Sequence, residues 1–254
     1  MMAHTSVSQR VQLTIDLAAI RRNYQTIARH THPLQVMPVL KANAYGLGVR
    51  PVGECLVHAG AARIGVAELN EALAITDFNV PIQIIGGILP EEIEPALRHG
   101  IILPIHEGAM ANDIQRIARQ LAMKATCHIL VDTGMGRLGL RYEEARDEIC
   151  RIVRECPNIR LEGIYSHFPF AYGDYDFSVH QVAAFLNLIR ELREQGLVFN
   201  HIHMANSDAI HNIPAAMKEP FTMVRTGLNL YGCFDLEGRR TVSLEPTLRL
   251  TSRL

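Results

Sequence analysis

Residues 36–48 read Val-Met-Pro-Val-Leu-Lys-Ala-Asn-Ala-Tyr-Gly-Leu-Gly. The apolar run 36–40 has the length and composition of a short buried strand, and it stops at one lysine, Lys41. Tyr45 follows four residues later, then Gly46 and Gly48, which mark a loop. Working outward, apolar segments recur at 63–66, 82–86, 101–105, 127–132, 162–167, 201–206 and 223–230. With 36–41 they make eight predicted strands. Helical periodicity fills most of the gaps. Met110, Ile114, Ile117 and Leu121 are spaced by four, three and four, and Val182, Phe185, Ile189 and Leu192 repeat such a face. Leu17, Ile20, Tyr24 and Ile27 do the same behind Asp16, a helix N-cap by type. Segments 68–76, 91–98 and 143–154 open with acids that suit a helix N-terminus. Strand then helix, eight times over, predicts an α/β fold, a parallel sheet closed as a (β/α)8 barrel. An open doubly wound sheet is the alternative, but no GxGxxG follows the first strand.

The 254 residues are 48% hydrophobic, enough for a large core, and barrels of about 250 residues are ordinary. A formal charge of −1 argues against a nucleic-acid partner or an anionic membrane surface. No stretch has the length and apolarity of a membrane span. Five cysteines without a CxxC pair suit reduced thiols in a cytoplasm better than a disulfide framework or a zinc cage. Residues 1–10 are polar, lack the apolar centre of a signal peptide and read as a disordered tail. Residues 11–235 hold the barrel pattern. Residues 236–254 read as the beginning of a truncated β-domain, with 241–254 alternating like its opening strand, and 11–16 alternate as a strand ahead of the first helix.

Active sites of such barrels form at the C-terminal ends of the strands. Lys41 ends the first predicted strand. Asp-Thr-Gly-Met-Gly-Arg at 132–137 follows the fifth, His167 ends the sixth, Asn206 and Ser207 the seventh, and Arg225, Thr226 and Gly227 lie in the eighth. A lysine ending a buried strand loses hydration, so its pKa falls and its amine becomes a usable nucleophile for a carbonyl. Pyridoxal phosphate is the commonest biological carbonyl held in this way. Glycine amides and Ser207 suit its phosphate, an arginine its ring or the substrate, and His167 the orientation of a second group. Met135 reads as packing, and Glu143, Glu144 and Asp147 as a solvated helix face.

In the same order, 39–48, Val-Asp-Thr-Gly-Met-Gly-Arg-Leu-Gly at 131–139, Ser-His-Phe at 166–168, Ala-Asn-Ser at 205–207 and Val-Arg-Thr-Gly-Leu-Asn-Leu-Tyr-Gly at 224–232 resemble the motifs of alanine racemase. The resemblance runs from about residue 13 to the end. It implies a fold type III pyridoxal 5'-phosphate enzyme, an isomerase that interconverts L- and D-alanine for peptidoglycan precursors. The implied architecture is an N-terminal barrel, a C-terminal β-domain and a homodimer. It implies Lys41 as the Schiff-base lysine and one of two acid–base groups, with Arg137 and His167 as the other catalytic residues. Tyr45, Ser207, Gly227 and Leu228 match positions that hold the phosphate, with Asn206 beside them. Arg225 matches the arginine on the pyridine nitrogen, His167 the residue bonded to that arginine, and Arg137 the residue near the phenolic oxygen and the small amino-acid substrate.

Those roles are physically coherent. Racemisation removes a Cα proton from one face and returns it on the other, so two groups are needed. A cationic Arg225 opposes a proton on the pyridine nitrogen, which weakens the electron sink and favours simple proton exchange. Two departures stand out. Where the family carries a carbamylated lysine that steadies the arginine, this chain has Leu130. The opposite-face tyrosine and a second phosphate-binding tyrosine belong to the β-domain, and the chain ends before both. Rival readings are a serine or lysine racemase, a non-catalytic single-barrel pyridoxal-phosphate binder and a metal-dependent barrel hydrolase. His201 and His203, with His106, His128, His167 and His180, supply candidate ligands for the last. His201 and His203 sit early in the seventh predicted strand, away from the catalytic rim, so they are expected to be core residues or residues that support the site from behind, with no metal bound.

Overall fold

The computed structural model describes residues 10–235 and 237–253; apart from Arg10, the expected tail 1–10 lies outside them. Eleven strands are present among the described residues: β1 (Val11–Ile15), β2 (Gln35–Pro38), β3 (Ile64–Val66), β4 (Ile82–Ile84), β5 (Leu103–Ile105), β6 (Ala125–Asp132), β7 (Leu140–Arg141), β8 (Ile159–Tyr165), β9 (His201–His203), β10 (Met223–Thr226) and β11 (Leu248–Ser252). Eight of them close a parallel ring. Strand β2 meets β3 through a bridge from Val39 to Gly65, β3 pairs with β4, and a bridge from Gln83 to Ile102 carries the ring towards β5. The order continues β5, β6, β8, β9, β10, and β10 closes on β2 with Val224 opposite Val36 and Arg225 opposite Met37. The predicted barrel is therefore the fold, with β7 added beside β6.

Helices cover the ring through the apolar faces read from the sequence. The helix Leu17–Thr31 buries Ile20, Tyr24 and Ile27, and Asp16 caps it by accepting from the Ala19 N–H at 2.9 Å. Gly108–Gln120 buries Met110, Ile114 and Ile117, and Tyr175–Glu194 buries Val182, Phe185, Ile189 and Leu192. One helix, Val49–His58, has no counterpart among the predicted elements, because Pro51 and Gly53 depress its propensity. Tertiary packing supports it: Gly53 leaves the space that the Phe78 ring fills.

Several predicted strands overran their C-terminal ends. Strand β2 stops at Pro38, β9 at His203 and β10 at Thr226, and Leu228–Tyr231 is a 3-10 turn. The residues beyond those ends leave the sheet to form the rim of the barrel. The alternation at 241–254 yields a shorter strand, β11, which pairs antiparallel with β1 outside the barrel, Leu13 opposite Leu250. Val11, Leu13 and Leu250 are exposed on this ribbon.

Candidate active site

Lys41 does not end a strand. It begins a left-handed turn in which Ala42, Asn43, Ala44 and Tyr45 have φ between 53° and 57°, followed by Gly46 at 86°. A left-handed turn costs about 1–2 kcal/mol for each residue bearing a Cβ, and runs of this kind are retained where the surroundings enforce them. The surroundings are specific. The Ala44 N–H donates to the Leu40 carbonyl at 2.9 Å and the Gly46 N–H to the Ala42 carbonyl at 2.8 Å. Asn43 Oδ1 accepts from the Val49 N–H at 2.8 Å, and the Glu71 carboxylate receives the N–H groups of Ala42 and Ala67. The turn leaves Lys41 exposed at the cavity mouth, so the expected burial of this lysine is not observed. Its Nζ stands 5.8 Å from the centre of the Tyr45 ring. Replacing Ala42 by Gly, which takes φ near +53° without a clash, is expected to stabilise the fold by about 1 kcal/mol. A lower urea midpoint for that variant would show the turn to be unstrained.

The 132–137 loop is held by its own aspartate. Asp132 Oδ1 accepts from the N–H groups of Gly134, Met135 and Gly136 at 2.9, 2.7 and 3.1 Å. Gly134 and Gly136 supply the positive φ that the turn requires. Arg137 is thereby presented at the rim, exposed, with no hydrogen bond among the described residues. Leu130 is buried and borders the cavity, an apolar surface where the resemblance implied a charged partner.

Arg225, 4% exposed, forms the floor. Its Nη1 donates to Nδ1 of His203 at 2.7 Å. Its Nη2 donates to the Ser166 and Met204 carbonyls at 2.7 and 3.1 Å and lies 3.2 Å from Nδ1 of His167. Burial lowers Arg225 to about 10. Burial, followed by the charges of Arg225, Arg137 and Lys41, lowers His167 to about 3, and burial holds His203 well below the usual histidine range. Both rings are therefore neutral acceptors for the guanidinium. His203 is buried, as expected, and supports the site from below; sequence reasoning missed only its partner. It ends β9 and holds Arg225 at a shorter distance than His167 does. The available signal was parity: His201 and His203 share the inward face of their strand.

Opposite the floor, Ser207 Oγ accepts from the Gly227 and Asn229 N–H groups at 3.1 and 3.5 Å. A Cβ at Gly227 would run into the Tyr45 hydroxyl, so glycine keeps this cradle open. Tyr45 packs edge-on against Tyr231 with centroids 5.5 Å apart. Asn206 caps the next turn, its Oδ1 accepting from the Ala209 N–H at 2.9 Å. Lys41, Tyr45, Arg137, His167, Asn206, Ser207, Arg225, Gly227 and Leu228, at or beyond the C-terminal ends of five strands, all border one cavity of about 360 Å³. The volume suits a small ligand or cofactor.

An amine, two guanidiniums and a hydroxyl–glycine cradle gather at the C-terminal strand ends of a (β/α)8 barrel, the face on which enzymes of that fold carry their sites. Residues 15–235 match the family described as alanine racemase, N-terminal domain, and the chain belongs to it. An alanine racemase of Methanococcus maripaludis is 38% identical over 250 residues, covering 96% of this chain and 66% of that protein. The structure of alanine racemase from Clostridium difficile 630 in complex with cycloserine superimposes with a TM-score of 0.90 at 27% identity, over 97% of this chain and 69% of that one. Alanine racemase from Bartonella henselae with covalently bound pyridoxal phosphate gives 0.83 at 29% identity, over 95% and 66%. The chain spans about two-thirds of the length of the curated relatives it matches.

Proposed function

We propose that this chain is the cofactor-binding barrel of a pyridoxal-phosphate-dependent isomerase that interconverts L- and D-alanine, the D-form supplying peptidoglycan precursors. The observation that carries the reading is the convergence of Lys41, Arg225 and the Ser207–Gly227 cradle on one cavity in a member of this family. The cavity fits the cofactor on its own evidence: the cradle exists because residue 227 lacks a Cβ, and a buried guanidinium forms the floor. When bound, pyridoxal phosphate acidifies the Cα–H of an attached amino acid by drawing charge into its ring.

The residues divide the work by position. Lys41 Nζ, at the mouth, is the attachment point and handles a proton on one face of the substrate. Tyr45, Ser207, Gly227 and Leu228 hold the phosphate, with Asn206 fixing the loop beneath them. Arg225, a cation that donates to two neutral imidazoles, would oppose a proton on the ring nitrogen of a bound cofactor. Arg137 faces the substrate carboxylate as a planar pair of donors. On this reading the second proton-handling group would come from the β-domain of a partner subunit, in a homodimer. The β1–β11 ribbon, with its exposed Val11, Leu13 and Leu250, supports residues 236–254 as the start of that domain and 11–235 as the barrel. The five free cysteines suit the cytoplasm, and no helix among the described residues is long and apolar enough to cross a membrane.

Incubation with pyridoxal phosphate, borohydride reduction and peptide mass mapping tests the reading. A phosphopyridoxyl adduct on Lys41 is expected, and its absence overturns it. Gly227→Ala is expected to weaken pyridoxal phosphate binding at least about tenfold in a titration, because the new Cβ displaces the Tyr45 hydroxyl. Unchanged affinity would remove the cradle from the phosphate site.

A further inference from the structure

Below the cavity the barrel interior is polar, where such barrels ordinarily stack branched aliphatic side chains. Arg225 Nη1 lies 2.7 Å from Nδ1 of His203, Nε2 of His203 lies 3.2 Å from Nδ1 of His128, and Nε2 of His128 lies 3.2 Å from Oε2 of Glu162. The chemistry of the first link dictates the others. A guanidinium only donates, so Nδ1 of His203 is bare and its hydrogen sits on Nε2. That hydrogen needs an acceptor, which leaves Nδ1 of His128 bare and places its hydrogen on Nε2, facing the carboxylate; Arg63 Nη1, 3.3 Å from the same nitrogen, gives its hydrogen to the Gln83 oxygen instead. Three hydrogen bonds thus run in one direction, from Arg225 at the cavity floor to Glu162 at the far end of the barrel.

The backbone makes room for this chain of contacts. Along the β6–β8 ladder Cys127 pairs with Leu161 and His128 with Gly163, so Glu162 is an extra, bulged residue. Bulges of this kind re-aim side chains. A Cβ at position 163 would collide with the His128 imidazole, so glycine stands where the ring must pass. The Tyr165 ring lies flat on His203, with centroids 4.9 Å apart and planes within 3°. At the far end Arg63 Nη2 donates to Glu162 at 2.8 Å and lies 3.0 Å from Nε2 of His201, Arg63 Nη1 donates to Gln83 at 3.3 Å and lies 3.3 Å from Nε2 of His128, His201 stands 3.9 Å from the carboxylate, and Arg160 approaches it at 3.5 Å. At the cavity end the facing groups are Arg225, His167, Arg137 and Lys41.

We propose that His128 and Glu162 are positioning residues for Arg225, acting through His203: the relay keeps the His203 proton on Nε2 so that Nδ1 pins the guanidinium at the cavity floor. The significance for catalysis rests on the cofactor reading above; the relay itself belongs to the chain alone. A second proton on His128 would face the Nε2 hydrogen of His203, so protonation at His128 and a firmly held Arg225 exclude one another. Isolated polar groups at these depths would carry a desolvation cost without return; linked in one direction, each imidazole is both donor and acceptor, between a guanidinium that donates and a carboxylate that accepts.

Two measurements decide it. In ¹⁵N-histidine NMR of the unmodified chain, His128 and His203 are expected as neutral Nε2–H tautomers that do not titrate between about pH 5.5 and 8.5. An Nδ1–H tautomer at either ring, or a titration in that range, overturns the proposal whether or not the chain takes the cofactor. The second compares His128→Asn, whose amide oxygen still accepts from His203, with His128→Leu, which keeps volume and loses the acceptor. The relay predicts that the pyridoxal phosphate dissociation constant rises about tenfold in the Leu variant and stays within about threefold in Asn. The pH dependence of the bound cofactor's absorbance is expected to shift in Leu alone. A purely packing role predicts the reverse order and overturns the proposal. If the unmodified chain takes no pyridoxal phosphate, the cofactor reading fails and the NMR result alone decides the relay.

Discussion

Lys41→Ala is expected to abolish covalent trapping of pyridoxal phosphate at every cofactor concentration while leaving unfolding within about 0.5 kcal/mol of the parent. The lysine is exposed and makes no hydrogen bond among the described residues, so the fold loses little with it. The sequence contains only three lysines, Lys41, Lys124 and Lys218. Lys124 precedes β6 and Lys218 precedes β10, which places both at the N-terminal ends of the strands, opposite the cavity. Lys41→Arg sharpens the test, because it keeps a cation at the mouth and lacks a free amine. Both variants should give no adduct after reduction. A persistent adduct on Lys124 or Lys218 would detach the chemistry from the cavity.

Stability is expected to fall steeply as pH drops from about 6.5 to 4. His128 and His203 are fully buried and neutral, with burial lowering His128 to about 4 and holding His203 well below its ordinary value. The unfolded chain binds protons at these rings from about pH 6.5 downward while the folded chain does not, so acid favours unfolding. Two protons correspond to a slope of about 3 kcal/mol per pH unit in that window. Stability from the rings is fully present above it. Glu162, held at about 2 chiefly by its hydrogen bond to His128 and by Arg63, acts lower. Its contribution is present above the ordinary carboxylate range and is lost as pH falls towards 2. Because domain stabilities are about 5–15 kcal/mol, the chain should unfold near pH 4 to 5. Urea unfolding at pH 7.5 and 5.5 measures the slope, and equal stabilities would show that these histidines are already charged or exposed.

Much of the fold was legible because burial alone sets it. The period-3.6 faces of 17–31, 108–120 and 175–194 and the apolar strand runs follow from which side chains leave water, and their alternation defines a parallel barrel. The meeting of Lys41, Arg137, His167, Asn206, Ser207 and Arg225 at one rim was legible because they lie at or after predicted strand ends, which a parallel barrel collects on one face; Tyr45 and Leu228 were found through motif resemblance. The exact strand ends were not, since residues such as 204–206 and 227–230 are as apolar as the strands they follow. The left-handed turn at 42–45 was also hidden: Ala and Tyr carry no signal for positive φ, and only the clasp of Glu71, Asn43 and the Leu40 carbonyl enforces it.

By itself, then, the sequence determined the barrel, the identity of the residues at its rim and the family, since these depend on local pattern and motif order. Tertiary structure alone decided that Lys41 stands at the mouth, that His203 holds Arg225 more closely than His167 does, and that β1 finds β11 across more than two hundred residues. Those outcomes depend on which side chains meet across strands far apart in sequence, and on a bulge at Glu162 and a missing Cβ at Gly163 that make room for them.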